Sequence, residues 1–133
     1  MKKIILFLLL LFPCVAKSQG YAYFNKLPNQ ILKIIKNYKS VVIMDNNSEH
    51  IHAVDTIKLT NLIFYFNNGI CDEFVTTHQV ETEYNKILNY LELIYIKSNI
   101  NEWYFDLDQG RDIITLEKKT GYFLVREIFT PSK

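Results

Sequence analysis

The dodecamer DLDQGRDIITLE, residues 106–117, places Asp106, Asp108, Asp112 and Glu117 at positions 1, 3, 7 and 12 of a calcium-loop count, with Ile113 at position 8. Carboxylates so spaced suit a hard cation such as Ca²⁺. Three features oppose that reading. Position 6, where the sharp turn needs glycine, is Arg111; the glycine falls one place early; and the flanks read as strands. A β-hairpin accounts for Asp108-Gln109-Gly110 without any ion. A second metal-type pattern is His50-x-His52. On a strand, residues i and i+2 share a face, and Asp55, Cys71 or His78 would have to complete a zinc site. Structural zinc takes four well-placed ligands, and only the pair is evident. Two solvated histidines beside the DNNSE loop are the simpler reading, so no cofactor is assigned.

Nucleophilic chemistry has less support. There is no G-x-S-x-G elbow, phosphate loop or H-E-x-x-H. Asp72 and Glu73 are adjacent, so a strand would point them to opposite faces. Glu81 and Glu83 fit the positive end of a helix dipole. Cys71 stands two residues after Asn68-Gly69. A tight Asn-Gly turn pairs Asn67 with Ile70 and Phe66 with Cys71. Cys71 then shares a face with Phe66, and with Val75, as core filling rather than as an activated thiolate. Glu73 on that parity is awkward and points to an edge or a bulge. An odd cysteine in an exported chain also allows an intermolecular disulfide, hence a homodimer. Alternation puts Trp103, Phe105 and Leu107 on the core face and Tyr104 on the other; Tyr65 likewise opposes Leu62, Phe64 and Phe66. Tyr65 and Tyr104 are therefore the candidate binding residues, as an aromatic surface if that face is open.

The elements that must position these residues begin after a leader. Lys2 and Lys3 precede an apolar run, Ile4–Phe12, and Ala16 and Ser18 are small residues in signal-peptidase spacing. Residues 1–18 read as a cleaved signal peptide, too short for a membrane span. Pro13 before Cys14 weakens a lipoprotein reading. Cleavage after Ser18 leaves residues 19–133 as a single α+β domain, periplasmic or secreted and not membrane-embedded. It removes Lys2, Lys3 and Lys17 from the 15 basic residues, leaving 12 against 14 acidic. No basic run remains, which disfavours nucleic acid and an anionic membrane surface. Cys14 leaves too, so no internal disulfide is available, and stability must come from apolar packing.

Leu27, Ile31, Ile34, Ile35 and Tyr38 form one face of a helix over about 27–38, with Pro28 in its first turn. Val41–Met44 is a short β-branched run and 51–59 is of uncertain type. Strands follow at 62–66 and 70–77, then a helix at about 80–96 with Val80, Tyr84, Ile87, Leu88, Leu91 and Tyr95 inward. Its tail, LELIYI, is ambiguous with strand. Strands at 103–107, 112–118 and 122–129 close the chain. The expectation is an antiparallel sheet of about five to seven strands with two helices on one face. A weak α-β-β duplication would give a TBP-like or secretion-chaperone-like topology; cystatin-like or NTF2-like curved sheets are alternatives.

The leader ending KSQG, the aromatic strand into NNGIC, the following helix and the NEWYF strand resemble small uncharacterised exported proteins of Bacteroidota. The resemblance implies export and no particular activity. Asp55-Thr56-Ile57 also resembles the short O-glycosylation acceptor of such proteins. The function expected is a non-enzymatic binding or accessory role through an exposed sheet face, toward a protein or glycan. A small periplasmic hydrolase with a site assembled from loops, and a Ca- or Zn-dependent module, are the alternatives.

Overall fold

The computed structural model describes residues 22–79 and 81–133. The expected signal peptide, Cys14 and Val80 lie outside the described residues.

The chain runs α1 (Pro28–Ile35), β1 (Val41–Asn46), β2 (His50–Asp55), β3 (Thr60–Asn67), β4 (Ile70–His78), α2 (Glu81–Ile94), β5 (Ile96–Asn99), β6 (Glu102–Leu107), β7 (Gly110–Lys119) and β8 (Tyr122–Pro131). The strands form one antiparallel sheet in the order β1-β2-β3-β4-β8-β7-β6-β5. The α+β expectation holds, but the sheet has eight strands rather than five to seven. The additional strand is β5. The apolar tail expected to end the second helix stops helical pairing at Ile94, and the chain then pairs Ile96 with Tyr104 and Lys97 with Trp103. The segment 51–59 resolves into β2 and a turn.

Each half is a helix followed by a four-strand meander, and the last strands of the halves, β4 and β8, join them. A shift of 52 residues carries Gly69 onto Gly121, Ile51 onto Trp103 and Phe64 onto Leu116. Both glycines have positive φ, +80° and +82°, as tight hairpin turns need. Asn68, at φ 52°, completes the first turn.

Strand alternation drives one face of the sheet into two cores. α1 buries Ile31 and Ile35 against Ile51, Ala53, Phe64, Phe74 and Phe129. α2 lays Leu91 on Trp103, Ile114, Leu116, Phe123 and Val125. Pro28 opens α1, and the Gln30 side-chain oxygen accepts a hydrogen bond from the Leu27 N–H at 2.9 Å, satisfying one of the orphan donors there. Both helices thus cover the same face. Among the described residues nothing packs on the other.

Three irregularities set the outline. The β3–β4 register shifts between Tyr65 and Phe66. This bulge answers the awkward parity of Glu73: Cys71 and Phe74 face the helices, while Glu73 turns to the other side. Val75, expected against the helices, follows Glu73 to the open face. Both margins of the sheet are bulged as well, between Ile43 and Asp45 on β1 and between Lys97 and Asn99 on β5.

Candidate functional site on the open sheet face

Register defines the uncovered face. One row runs His50, Tyr65, Glu73, Ile128, Ile113, Tyr104 and Ile96 from β2 to β5. The next runs Asp45, His52, Ile63, Val75, Arg126, Thr115 and Glu102. Tyr65 and Tyr104 therefore stand in one row, four strands apart, or about 19 Å at ~4.8 Å per strand. Neither ring is buried: Tyr65 is 38% exposed and Tyr104 half-buried. Between them stand Glu73, beside Tyr65, and the half-buried Ile128 and Ile113, so the floor is apolar toward Tyr104 and carries one charged side chain beside Tyr65.

Charge on this face is internally matched. Arg126 Nε meets Glu73 Oε1 at 3.0 Å near the centre. Arg111 donates to both oxygens of Asp106, at 2.6 and 3.2 Å, and its guanidinium lies 4.2 Å over the Tyr104 ring. That cation–π contact holds Tyr104 in place. At the β1 end, His50 Nε2 lies 3.0 Å from Asp45 Oδ2, and its ring is 6.3 Å from that of Tyr65.

The metal-type residues do not converge. His50 and His52 share the open face, but each has its own neighbour: Asp45 for His50, and the Asn61 Oδ1, at 3.0 Å, for His52. Asp55, His78 and Cys71 point to the helix side. In the 106–117 segment, β6 and β7 form a hairpin. Asp106 is held by Arg111, Glu117 pairs with Lys119, and Asp112 is buried on the opposite face. Arg111 supplies a positive charge where a cation would have to sit. Among the described residues no group of three or more His, Cys, Asp or Glu side chains is placed to hold a metal ion.

Cys71 is fully buried. Burial pushes its thiol up to about 12, with only the weak contact from Sγ to the Glu73 carbonyl, 3.6 Å, acting the other way. It is not a thiolate at neutral pH. Thr56, exposed in the β2–β3 turn, donates its hydroxyl to the Ser40 carbonyl at 2.9 Å.

Sequence reasoning missed one buried polar cluster. Glu127 and Asp112, on adjacent strands beneath α2, are 5% and 2% exposed. The Tyr95 hydroxyl donates to Asp112 Oδ2 at 3.4 Å, and burial, with Glu127 and Asp112 nearby, raises the Tyr90 phenol to about 12. Glu127 sits inside the alternating run YFLVREIF, where an inward acid breaks the pattern; that break was the available signal. At this burial the carboxyls are closed to a substrate. A depression of about 190 Å³ lies between α2 and the β7–β8 turn, where Lys118 pairs with Glu81 at 2.9 Å. It is smaller than common ligand pockets.

Comparison with known protein families, with curated proteins and with solved structures finds no match for this chain.

Proposed function

We propose that this is an exported, non-enzymatic binding protein that engages a protein partner across the open sheet face. The observation that carries the proposal is the breadth of that face: two half-exposed tyrosines about 19 Å apart over a floor of Ile113, Ile128 and the Glu73–Arg126 pair. A single sugar would not span that distance. Eight strands make a surface roughly 34 Å wide, the scale of one side of a standard protein interface, about 800 Å². The matched ion pairs at Glu73–Arg126 and Asp106–Arg111 add little net charge, which suits a protein surface better than a polyanion. The mirrored order of the two halves accords with a duplicated TBP-like or secretion-chaperone-like topology more than with a cystatin-like or NTF2-like sheet, and these analogies carry no function of their own. Export and kinship with small proteins of Bacteroidota belong to the same proposal.

A photo-crosslinking residue at position 65 or 104, in the chain expressed in its exporting host, tests it. One discrete protein adduct is expected from both positions and none from position 85, exposed on α2. An adduct at twice the chain mass would identify a second copy as the partner. No adduct from either face position, or the same adduct from position 85, would overturn the proposal, as would an adduct removed by glycosidase and not by protease.

A further inference from the structure

Folding divides the lysines in an uneven way. Lys86, Lys97, Lys118 and Lys119, all in the second half, each pair with a glutamate. Among the described residues Lys26, Lys33, Lys36, Lys39 and Lys58 of the first half and the terminal Lys133 enter none of the ion pairs, and Lys33, Lys36, Lys39 and Lys58 are exposed. These four are scattered in sequence but gather at one end of the molecule. Lys33 and Lys36 occupy the C-terminal end of α1. Lys39 precedes Ser40, whose carbonyl accepts hydrogen bonds from both the N–H and the hydroxyl of Thr56 at 2.9 Å. Those bonds bring the β2–β3 turn, with Lys58, against the segment that follows the helix.

The same turn carries the most exposed aliphatic side chain of this half. Ile57 is 81% exposed and Leu59 54%. Leu59 adopts φ 53°, a left-handed backbone usually left to glycine or asparagine. The turn is nevertheless well made: the Asp55 Oδ1 accepts the N–H groups of Ile57 and Lys58 at 3.0 and 3.1 Å. Two aliphatic tips are thus held outward by a formed turn, with Lys58 between them and the Lys39 segment brought to the turn by the Ser40–Thr56 bonds. Asp55 lies in the turn itself, its carboxylate engaged by the Ile57 and Lys58 N–H groups; the other acidic groups of this half, Asp45, Glu49, Asp72 and Glu73, lie toward the opposite end of the strands, near the β1–β2 turn. At this end the first half sets four lysines against the one carboxylate of Asp55, although the whole chain is nearly neutral.

We infer that this tip is a peripheral membrane contact: Ile57 and Leu59 insert into the interfacial layer of a bilayer while Lys33, Lys36, Lys39 and Lys58 meet anionic phospholipid headgroups. Apolar insertion and charge attraction are the two signals that together give stable but reversible surface binding. The occupant is a lipid surface rather than an acidic protein because the two exposed aliphatic side chains, Ile57 and Leu59, flank a lysine in the same turn, the apolar-plus-cationic pairing that an anionic interfacial layer takes. This contact is separate from the open face, which remains free to bind.

The test uses the full chain, with Ile57→Trp as a reporter at the tip; Trp103 is buried and contributes a constant background. Vesicles of phosphatidylcholine with about one-third phosphatidylglycerol are expected to shift the reporter emission to the blue and to let brominated lipid quench it. Pure phosphatidylcholine should give neither effect. Lys36→Glu with Lys39→Glu should weaken the reporter's apparent affinity by ~10-fold or more. In a separate co-sedimentation assay on protein recovered after export, Leu59→Ser with Ile57→Ser should weaken binding by a similar factor. Because the reporter sits at position 57, attachment through the leader alone leaves it unshifted. An unshifted reporter, an equal response to neutral vesicles, or vesicle binding that survives both pairs of substitutions would each overturn the inference. Loss of the vesicle response in millimolar inorganic phosphate, where chloride at the same ionic strength leaves it intact, would point to a simple anion site and overturn it as well.

Discussion

His78 shows what one side chain does when a strand carries it under a helix. Its ring stacks on Phe123 at 4.7 Å, nearly parallel, and its Nε2 lies 2.8 Å from Thr76 Oγ1. Burial is the largest influence on it and disfavours the imidazolium. Glu83 opposes that effect and Lys58 adds to it, and the net result is a pKa below 6.5. The folded state therefore binds the proton less readily than the unfolded chain. The stability tied to neutral His78 is fully present above about pH 6.5 and is lost as pH falls through the folded-state value. The stability advantage of the wild type over His78→Gln is expected to shrink steadily from about pH 7 to about pH 5, as read from paired thermal melts. A constant difference would mean that the ring is solvated when folded. Cys71 obeys the same physics. Strand parity places it under the helices, and burial rather than residue type decides its chemistry.

At the level of elements, hairpin closure depends on single glycines for different reasons. A Cβ at Gly110 would collide with the Thr130 carbonyl and lie 2.8 Å from Pro131 Cα, because β7 starts tight against the end of β8. Gly110→Ala is expected to cost about 1–3 kcal/mol through forced separation of the strands. Gly121→Ala meets nothing within 4 Å and pays only for a left-handed backbone, about 1–2 kcal/mol. Urea melts of both variants would rank them, and equal loss would argue against the close approach at Gly110. Much of this level was legible in the sequence. Asn68-Gly69 announced its hairpin, the Ile31/Ile35 spacing its helix, and the alternation around Trp103 its inward face. β5 was not legible, because Ile94-Tyr95-Ile96 is apolar enough to continue a helix, and only its pairing with β6 decides otherwise. Val75 was misplaced because a bulge reverses parity without changing composition. The sides occupied by Tyr65 and Tyr104 followed from alternation alone. The four lysines at the α1 end could not be grouped, since 33–39 and 58 meet only when Ser40 and Thr56 do.

The whole molecule is two similar halves that share one sheet. Six residue pairs connect β4 to β8, and Phe129 of the second half is buried in the core of the first. The first core is not closed without the second half, and His78 of the first half stacks on Phe123 in the core of the second. Urea unfolding followed by far-UV circular dichroism, which reports every strand and helix, and by Trp103 fluorescence, which reports the second half, is expected to give coincident transitions. Separate midpoints would show halves that fold alone.

The bulged margins at Ile43/Asp45 and Lys97/Asn99 carry a consequence for assembly. A neighbouring strand that docked at either margin would lose register after two or three rungs, so this sheet resists being extended sideways into a ribbon. The molecule is a tile with spoiled edges, backed by helices. Its natural direction of growth is outward from the bare surface, one layer deep, and its complexes should be discrete sandwiches of defined stoichiometry rather than filaments.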